Sequence, residues 1–305
     1  MPEDKTAPTN GLAAHVFTLM LFLACFAGAV KGQEVKPAYG KTHPELLVST
    51  KWLAEHLSDP KLVIVHVGGA DDYKSAHIPG ARLLPSNKFA GPGAELLPDD
   101  QLKANLEAIG ISDDSRVVIY TPDWQPMATR LFFTLDYLGF EHAAMLNGGL
   151  DAWQEEKRTL STEETAITKG TLNIHPHPEI VAKLDAVKQL ANTPGANTAI
   201  VDARPLRRYR SGHLPGALPI FWEKNLVSAD DLVQLLKSPE ELRKMYVAAG
   251  VTPGKKVVSY CEIGLQASYA YFIARYLGYE AAMYDGSWSE WNKEKQPSVR
   301  GDSAR

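Results

Sequence analysis

Cys261 stands where a short apolar run gives way to a turn. The run is Val257-Val258-Ser259-Tyr260, and the turn reads Glu262-Ile263-Gly264-Leu265-Gln266. A helical pattern takes over around Gln266 or Ala267. In an open parallel sheet, ligands bind at this carboxyl end of a strand. A loop curling over the sulfur would aim backbone N–H groups at it. The positive end of the following helix would add to that field. Both effects favour thiolate over thiol, so the expected pKa lies below the free value of about 8.5. A thiolate is a soft nucleophile suited to covalent group transfer. Gly264 lets the loop take a left-handed turn. The competing interpretation is a buried structural cysteine, a common fate for free Cys.

The elements that must position this thiol come in two sets. Leu62–Val67, Val117–Tyr120, Ile200–Asp202 and Val257–Tyr260 are short and β-branched, as buried strands are. Thr50–Leu57, Met127–Leu138, Asp230–Leu236 and Gln266–Leu277 carry helical patterns. Alternation of the two predicts an α/β fold, each unit a mostly parallel sheet flanked by helices. Three blocks recur in order. The segment around His77-Ile78-Pro79-Gly80-Ala81 matches His213-Leu214-Pro215-Gly216-Ala217. Arg116–Phe140 matches Lys256–Tyr279, and Met145–Trp153 matches Met283–Trp291. A spacing of roughly 140 residues is too long for a solenoid and fits duplication of a whole domain. The sequence therefore divides into an N-terminal segment (1–32), a first domain (43–157), a linker (158–178) and a second domain (179–298). The polar tail after Trp291 is expected to fray.

Composition narrows the function classes. The chain has 305 residues, 45% hydrophobic and 22% charged, as a globular protein has. A net charge of -4 argues against nucleic-acid binding. Gly11–Val30 is almost wholly apolar, and Ala27, Gly28 and Ala29 give a cleavage-like pattern. Export to the periplasm or beyond is expected, with a membrane anchor as the alternative if the segment is retained. Leu23-Ala24-Cys25 also faintly resembles a lipoprotein signal. With that segment removed, Cys261 is the single cysteine, so no internal disulfide can form. The histidines lack metal-ligand spacing, and neither metal nor cofactor is called for. The chain is expected to act as a monomer.

The cysteine loop, the doubled His-x-Pro-Gly-Ala block and Tyr284-Asp285-Gly286-Ser287-Trp288-Ser289-Glu290-Trp291 together resemble the rhodanese family. The tandem-domain thiosulfate and 3-mercaptopyruvate sulfurtransferases are the most similar members. Leu47-Val48-Ser49-Thr50 also resembles the start of their first domain. The resemblance implies that Cys261 takes sulfur from a small-molecule donor as a persulfide and yields it to cyanide or a thiol. It implies a substrate-binding role for Arg208 and a more structural one for Arg204, which Asp202 would pair. Arg207 and Arg210 are expected on the surface. Glu262, Ile263, Gly264, Leu265, Gln266, Ser287 and Trp288 would surround the substrate. Ser287 could bond to the substrate or cap a turn. His77 and His213 are expected to fix turns rather than act as bases.

The first domain departs from this pattern. Thr121-Pro122-Asp123 replaces the cysteine, Gly68 stands for Arg204, and Asp72 stands for Arg208. It is expected to be inactive and to cover one side of the cleft. The second domain departs too. Thiosulfate-specific members carry basic residues after the cysteine, and mercaptopyruvate-specific members tend to carry Gly-Ser-Gly. Glu262-Ile263 fits neither, and Glu262 would oppose an anionic donor if it faced the pocket. Two other functions compete. A phosphatase or arsenate reductase needs an arginine at the loop's end, where this chain has Gln266 and Ala267. A non-catalytic binding module in the envelope could use the same fold. Retention of Cys261, Arg208 and the Asp-Gly-Ser-Trp segment argues against it.

Overall fold

The computed structural model describes residues 40–122, 124–193, 195 and 197–303. The expected signal or anchor segment and Cys25 lie outside the described residues. Among the described residues, no helix is long and apolar enough to cross a membrane.

Two five-stranded sheets form, and their pairings are parallel. The first holds β1 (Leu47–Val48), β2 (Leu62–His66), β3 (Ala81–Leu83), β4 (Arg116–Tyr120) and β5 (Ala143–Leu146), in the order β1-β5-β4-β2-β3. The second holds β6 (Val181–Ala182), β7 (Thr198–Asp202), β8 (Ala217–Pro219), β9 (Lys256–Tyr260) and β10 (Ala281–Tyr284), in the order β6-β10-β9-β7-β8. Every residue of β2, β5 and β10 is buried, as continuous apolar strands must be when helices cover both faces. Register pairs His66 with Tyr120 in one sheet and Asp202 with Tyr260 in the other. The two halves thus repeat one topology, as the internal sequence repeat predicts.

Helices α1 (Thr50–His56), α2 (Ala70–Ser75), α3 (Asp99–Ala108), α4 (Gln125–Tyr137) and α5 (Gly149–Glu155) surround the first sheet. Helices α6 (Leu184–Asn192), α7 (Leu206–Ser211), α8 (Pro239–Ala248), α9 (Leu265–Tyr276) and α10 (Ser287–Lys293) surround the second. The halves join where α4 meets α9. Phe132 meets Phe272 edge-on at 5.1 Å, and Phe133 meets Tyr271 at 5.0 Å. Each such pair contributes about 0.5–1.5 kcal/mol beyond its buried area. The Thr129 and Ser268 hydroxyls bond across the seam at 2.9 Å, so neither is left unsatisfied in the core.

Two segments differ from expectation. Asp230–Leu236 forms no helix. Its Leu236 N–H donates to Asn147 Oδ1 at 3.0 Å. Val233 and Leu235 pack over Gly148 of the first half. Tertiary contact overrides the local helical pattern there. The tail after Trp291 is held rather than frayed. Val299 bridges His213, Arg210 pairs with Asp302, and the Trp291 indole donates to Pro297 O. The segment between the halves has no helix or extended strand before Pro178, yet it is strapped down. Ser161 bridges His77, and buried Leu172 donates its N–H to Glu107 Oε1.

Glu107 gives this strap a pH dependence. The Lys103 ammonium and the Leu172 N–H hold its carboxyl down at about 2. A depressed carboxylate contributes stability that is complete above its unfolded pKa of about 4.3 and is lost as pH falls through the folded value. The melting temperature should therefore drop between about pH 5 and 2. In Glu107→Gln that acid limb should be shallower, which calorimetry across this range checks.

Candidate functional site

Cys261 follows the last residue of β9 and lies at the carboxyl end of the second sheet. It is the one cysteine among the described residues, unpaired and only 1% exposed. The turn is tighter than expected, since α9 already begins at Leu265. Gly264 caps that helix in the left-handed region, with φ at 98°. This conformation swings the Gly264 N–H onto the Cys261 sulfur at 3.2 Å. The N–H groups of Ala267 and Ile263 also lower the thiol's pKa.

The balance on the thiol nevertheless differs from the sequence expectation. Burial is the largest influence, and it pushes the Cys261 thiol up despite the three N–H groups, with Asp202 adding to the rise. The sequence reveals the N–H cradle but not the desolvation, because the sulfur lies within an apolar core that runs through both halves. A thiolate held here is therefore desolvated and strongly nucleophilic once formed.

A second segment clamps the loop from above. Trp288 N–H donates to Cys261 O, and Ser289 N–H donates to Glu262 O, both at 3.0 Å. Ser287 is fully buried with φ at 51°, a strained conformation for a residue with a side chain. Its hydroxyl accepts the Cys261 N–H at 3.2 Å and donates to Tyr284 O at 2.8 Å. Ser287 thus ties the backbone of the cysteine to the end of β10. In the first half, Gly149 sits at the matching position with φ at 60° and offers no hydroxyl.

The arginines separate clearly. Arg204 is 2% exposed, and its donors go to Asp202 and to Gly212 O. Its guanidinium lies 4.6 Å from the Trp288 ring centroid and 3.5 Å from the Glu262 carboxylate. Arg204 therefore belongs to the scaffold rather than standing open to substrate. It also draws Glu262 sideways and balances its charge, which removes much of the repulsion expected for an anionic donor. Arg208 sits on α7, exposed, with no side-chain partner among the described residues. Ile263, Leu265, Gln266 and Trp288 are half-buried around the same loop. Arg207 and Arg210 are exposed.

His213 is fully buried and stacked on Tyr209 at 3.6 Å. Its two ring nitrogens lie against Tyr209 O and Ser303 O. His77 repeats this arrangement with Tyr73 O and Glu163 O. Both rings fix turns and face no open site. In the first half His66 takes the place of Asp202, and burial drives its pKa down to about 4. The matching pocket there thus holds a neutral imidazole, Thr121 and no thiol.

Sequence reasoning missed Arg130. This arginine of α4 is fully buried and pairs with Asp285 at 2.6 Å. The available signal was a lone cation inside the apolar pattern Met127–Leu138, which must find an anion when buried. Trp222 also went unremarked. It packs between Trp124 of the first half and Tyr269, with ring centroids 6.1 and 5.3 Å away.

A duplicated parallel α/β unit, with a thiol loop at the sheet's carboxyl end in the second copy alone, defines the class. Residues 49–156 and 183–294 each match the rhodanese-like domain, and the chain belongs to that family, with two domains in tandem. It is 33% identical over 289 residues to the sulfur carrier protein TtuD of Thermus thermophilus, spanning 86% of this chain and 99% of the relative. It is 31% identical over 270 residues to the thiosulfate sulfurtransferase of Pseudomonas aeruginosa, spanning 83% and 96%. It is 28% identical over 271 residues to the 3-mercaptopyruvate sulfurtransferase of Escherichia coli K12, spanning 80% and 94%. Among solved structures, the anaerobic ergothioneine biosynthesis enzyme from Chlorobium limicola matches with a TM-score of 0.75 at 23% identity, over 85% of this chain and 71% of that one. That likeness concerns the fold.

Proposed function

We propose that the protein is a sulfurtransferase carrying sulfur on Cys261 as a persulfide. The observation that carries this reading is the buried, unpaired sulfur with the Gly264 N–H aimed at it. The names of the relatives agree with it at the level of the reaction class. In the first step the thiolate attacks the donor's outer sulfur. With thiosulfate the S–S bond breaks and sulfite leaves with the electron pair. With 3-mercaptopyruvate the C–S bond breaks, and the enolate of pyruvate takes up a proton. In the second step cyanide or a thiolate attacks the terminal sulfur, and the Cys261 thiolate is released. The N–H groups that face the sulfur stabilise the anion at both stages. The first domain supplies no thiol and acts as cover and support. Export through the N-terminal segment, with action as a monomer, completes the proposal.

The test incubates the purified protein separately with thiosulfate and with 3-mercaptopyruvate and follows thiocyanate formation from cyanide. Turnover with either donor supports the reading, and the ratio between donors identifies the physiological class. No turnover from folded protein with a free thiol would favour a binding module. Arg208 is proposed to hold the donor's carboxylate or sulfonate. Arg208→Ala should raise KM about tenfold or more, since a charge-assisted hydrogen bond contributes about 1.5–3 kcal/mol. Steady-state kinetics with the preferred donor checks this, and an unchanged KM would remove Arg208 from the site.

A further inference from the structure

We infer that Arg130, contributed by the first half, is a positioning residue for the Cys261 thiolate and acts through Asp285. This role rests on Cys261 being the sulfur carrier, yet thiol alkylation reads it without any sulfur donor.

The contacts run in one chain. Arg130 Nη1 donates to Asp285 Oδ1 at 2.6 Å, and Nη2 approaches Oδ2 at 3.4 Å. The Leu96 N–H, also from the first half, donates to Oδ2 at 3.1 Å. Asp285 belongs to the second half, and its side chain is 13% exposed. Among the described residues, the hydrogen bonds to its carboxylate therefore come from the other half. Asp285 in turn lies against the cysteine loop. A Cβ placed on Gly264 would sit 3.0 Å from Asp285 Oδ1 and 3.5 Å from Arg130 Nη1. Gly264 is the residue whose N–H meets the sulfur. Asp285 also begins the segment whose Ser287, Trp288 and Ser289 grip Cys261 and Glu262.

The electrostatic consequence has a definite sign. An unpaired carboxylate beside Gly264 would oppose a negative sulfur. Arg130 cancels that charge and fixes its direction. The Nε of Arg130 has no hydrogen-bond partner among the described residues, and burying a guanidinium without full satisfaction is costly. A residue needed only to fill α4's packing face would be apolar. Other charged or titratable groups around the loop and its clamp include Asp202, Arg204, Tyr260 and Glu262, and Glu290 and Tyr284 beside Gly286. Asp202 and Glu262 both contact Arg204, so Asp285 is the carboxylate whose balance depends on the first half.

The experiment measures iodoacetamide alkylation of Cys261 against pH in the full chain, with melting temperature recorded in parallel. Arg130→Met is expected to raise the midpoint by about one pH unit, which slows alkylation near pH 7 about tenfold. Asp285→Asn is expected to move it downward, because a buried cation then stands alone near the sulfur. The double variant should return close to wild type. Arg130→Lys keeps the charge but loses the two-pronged fork on Asp285, so its midpoint should move less than that of Arg130→Met. An Arg130 that only supports packing would shift both single variants the same way, or lower the melting temperature without moving the midpoint; either result overturns the role. If Arg130→Met does not fold, Asp285→Asn and Arg130→Lys carry the test, and an unmoved midpoint in Asp285→Asn overturns it. Midpoints that move in the expected directions, with no sulfur transfer by the wild type from any donor, would instead count against the proposed function.

Discussion

Cys261→Ser should reduce thiocyanate formation to the uncatalysed background, a loss on the order of 10⁴-fold or more, as removal of a covalent nucleophile commonly gives. Serine is nearly the same size, so the loop should keep its shape. Its hydroxyl can accept the Gly264 N–H that the sulfur now accepts. The cost to folding is the burial of a more polar group, about 1–3 kcal/mol. A modest fall in melting temperature with complete loss of turnover is the expected pair of results. Alkylation of any thiol other than Cys25 should vanish in the same variant. In the wild type, alkylation should quicken with pH beyond the ordinary cysteine range, because burial raises the thiol's pKa. Mass spectrometry of protein purified without reductant adds a further check. A cyanide-labile sulfur on Cys261 would make the persulfide the resting form, and an unmodified thiol would exclude it.

The legible part of this site is its local part. A β-branched run ending at Tyr260, a cysteine and a glycine three residues later define the strand, the nucleophile and the left-handed cap within one short segment. Doubling of the blocks likewise made the two-sheet architecture readable, because duplicated sequence must bury duplicated faces. What stayed hidden depends on contacts between distant residues. Asp230–Leu236 has a helical pattern but is used to cover Gly148 in the other half. The polar tail is ordered through His213 and Arg210, which lie far back in the sequence, as well as through Trp291. Ser287 could have faced the substrate or the backbone, and only the fold turns it towards Cys261 and Tyr284. The direction of the thiol's pKa is hidden for the same reason. N–H groups in a loop are visible in sequence, but the depth at which the loop is buried is a property of both halves.

Gly264→Ala should cost far more activity than its stability change explains. Alanine at φ 98° carries a conformational penalty of about 1–2 kcal/mol, since its Cβ crowds the neighbouring carbonyl. At Gly264 that Cβ would also lie 3.0 Å from Asp285 Oδ1 and 3.2 Å from Asp285 O. The backbone can relieve both strains by leaving the left-handed region, and the N–H then swings off the sulfur. Loss of one such donor from an anion-stabilising site lowers turnover about 10²–10³-fold. Gly254→Ala separates the two contributions. Gly254 has φ at 80°, with nothing within 4 Å of an added Cβ. It lies in the turn before β9 and touches no part of the cysteine loop. That variant should show the left-handed penalty alone, as a lower melting temperature with normal sulfur transfer. Gly264→Ala should show a similar or larger fall in melting temperature together with the loss of turnover. Equal activities in the two variants would mean that the Gly264 N–H contributes little to holding negative charge on Cys261.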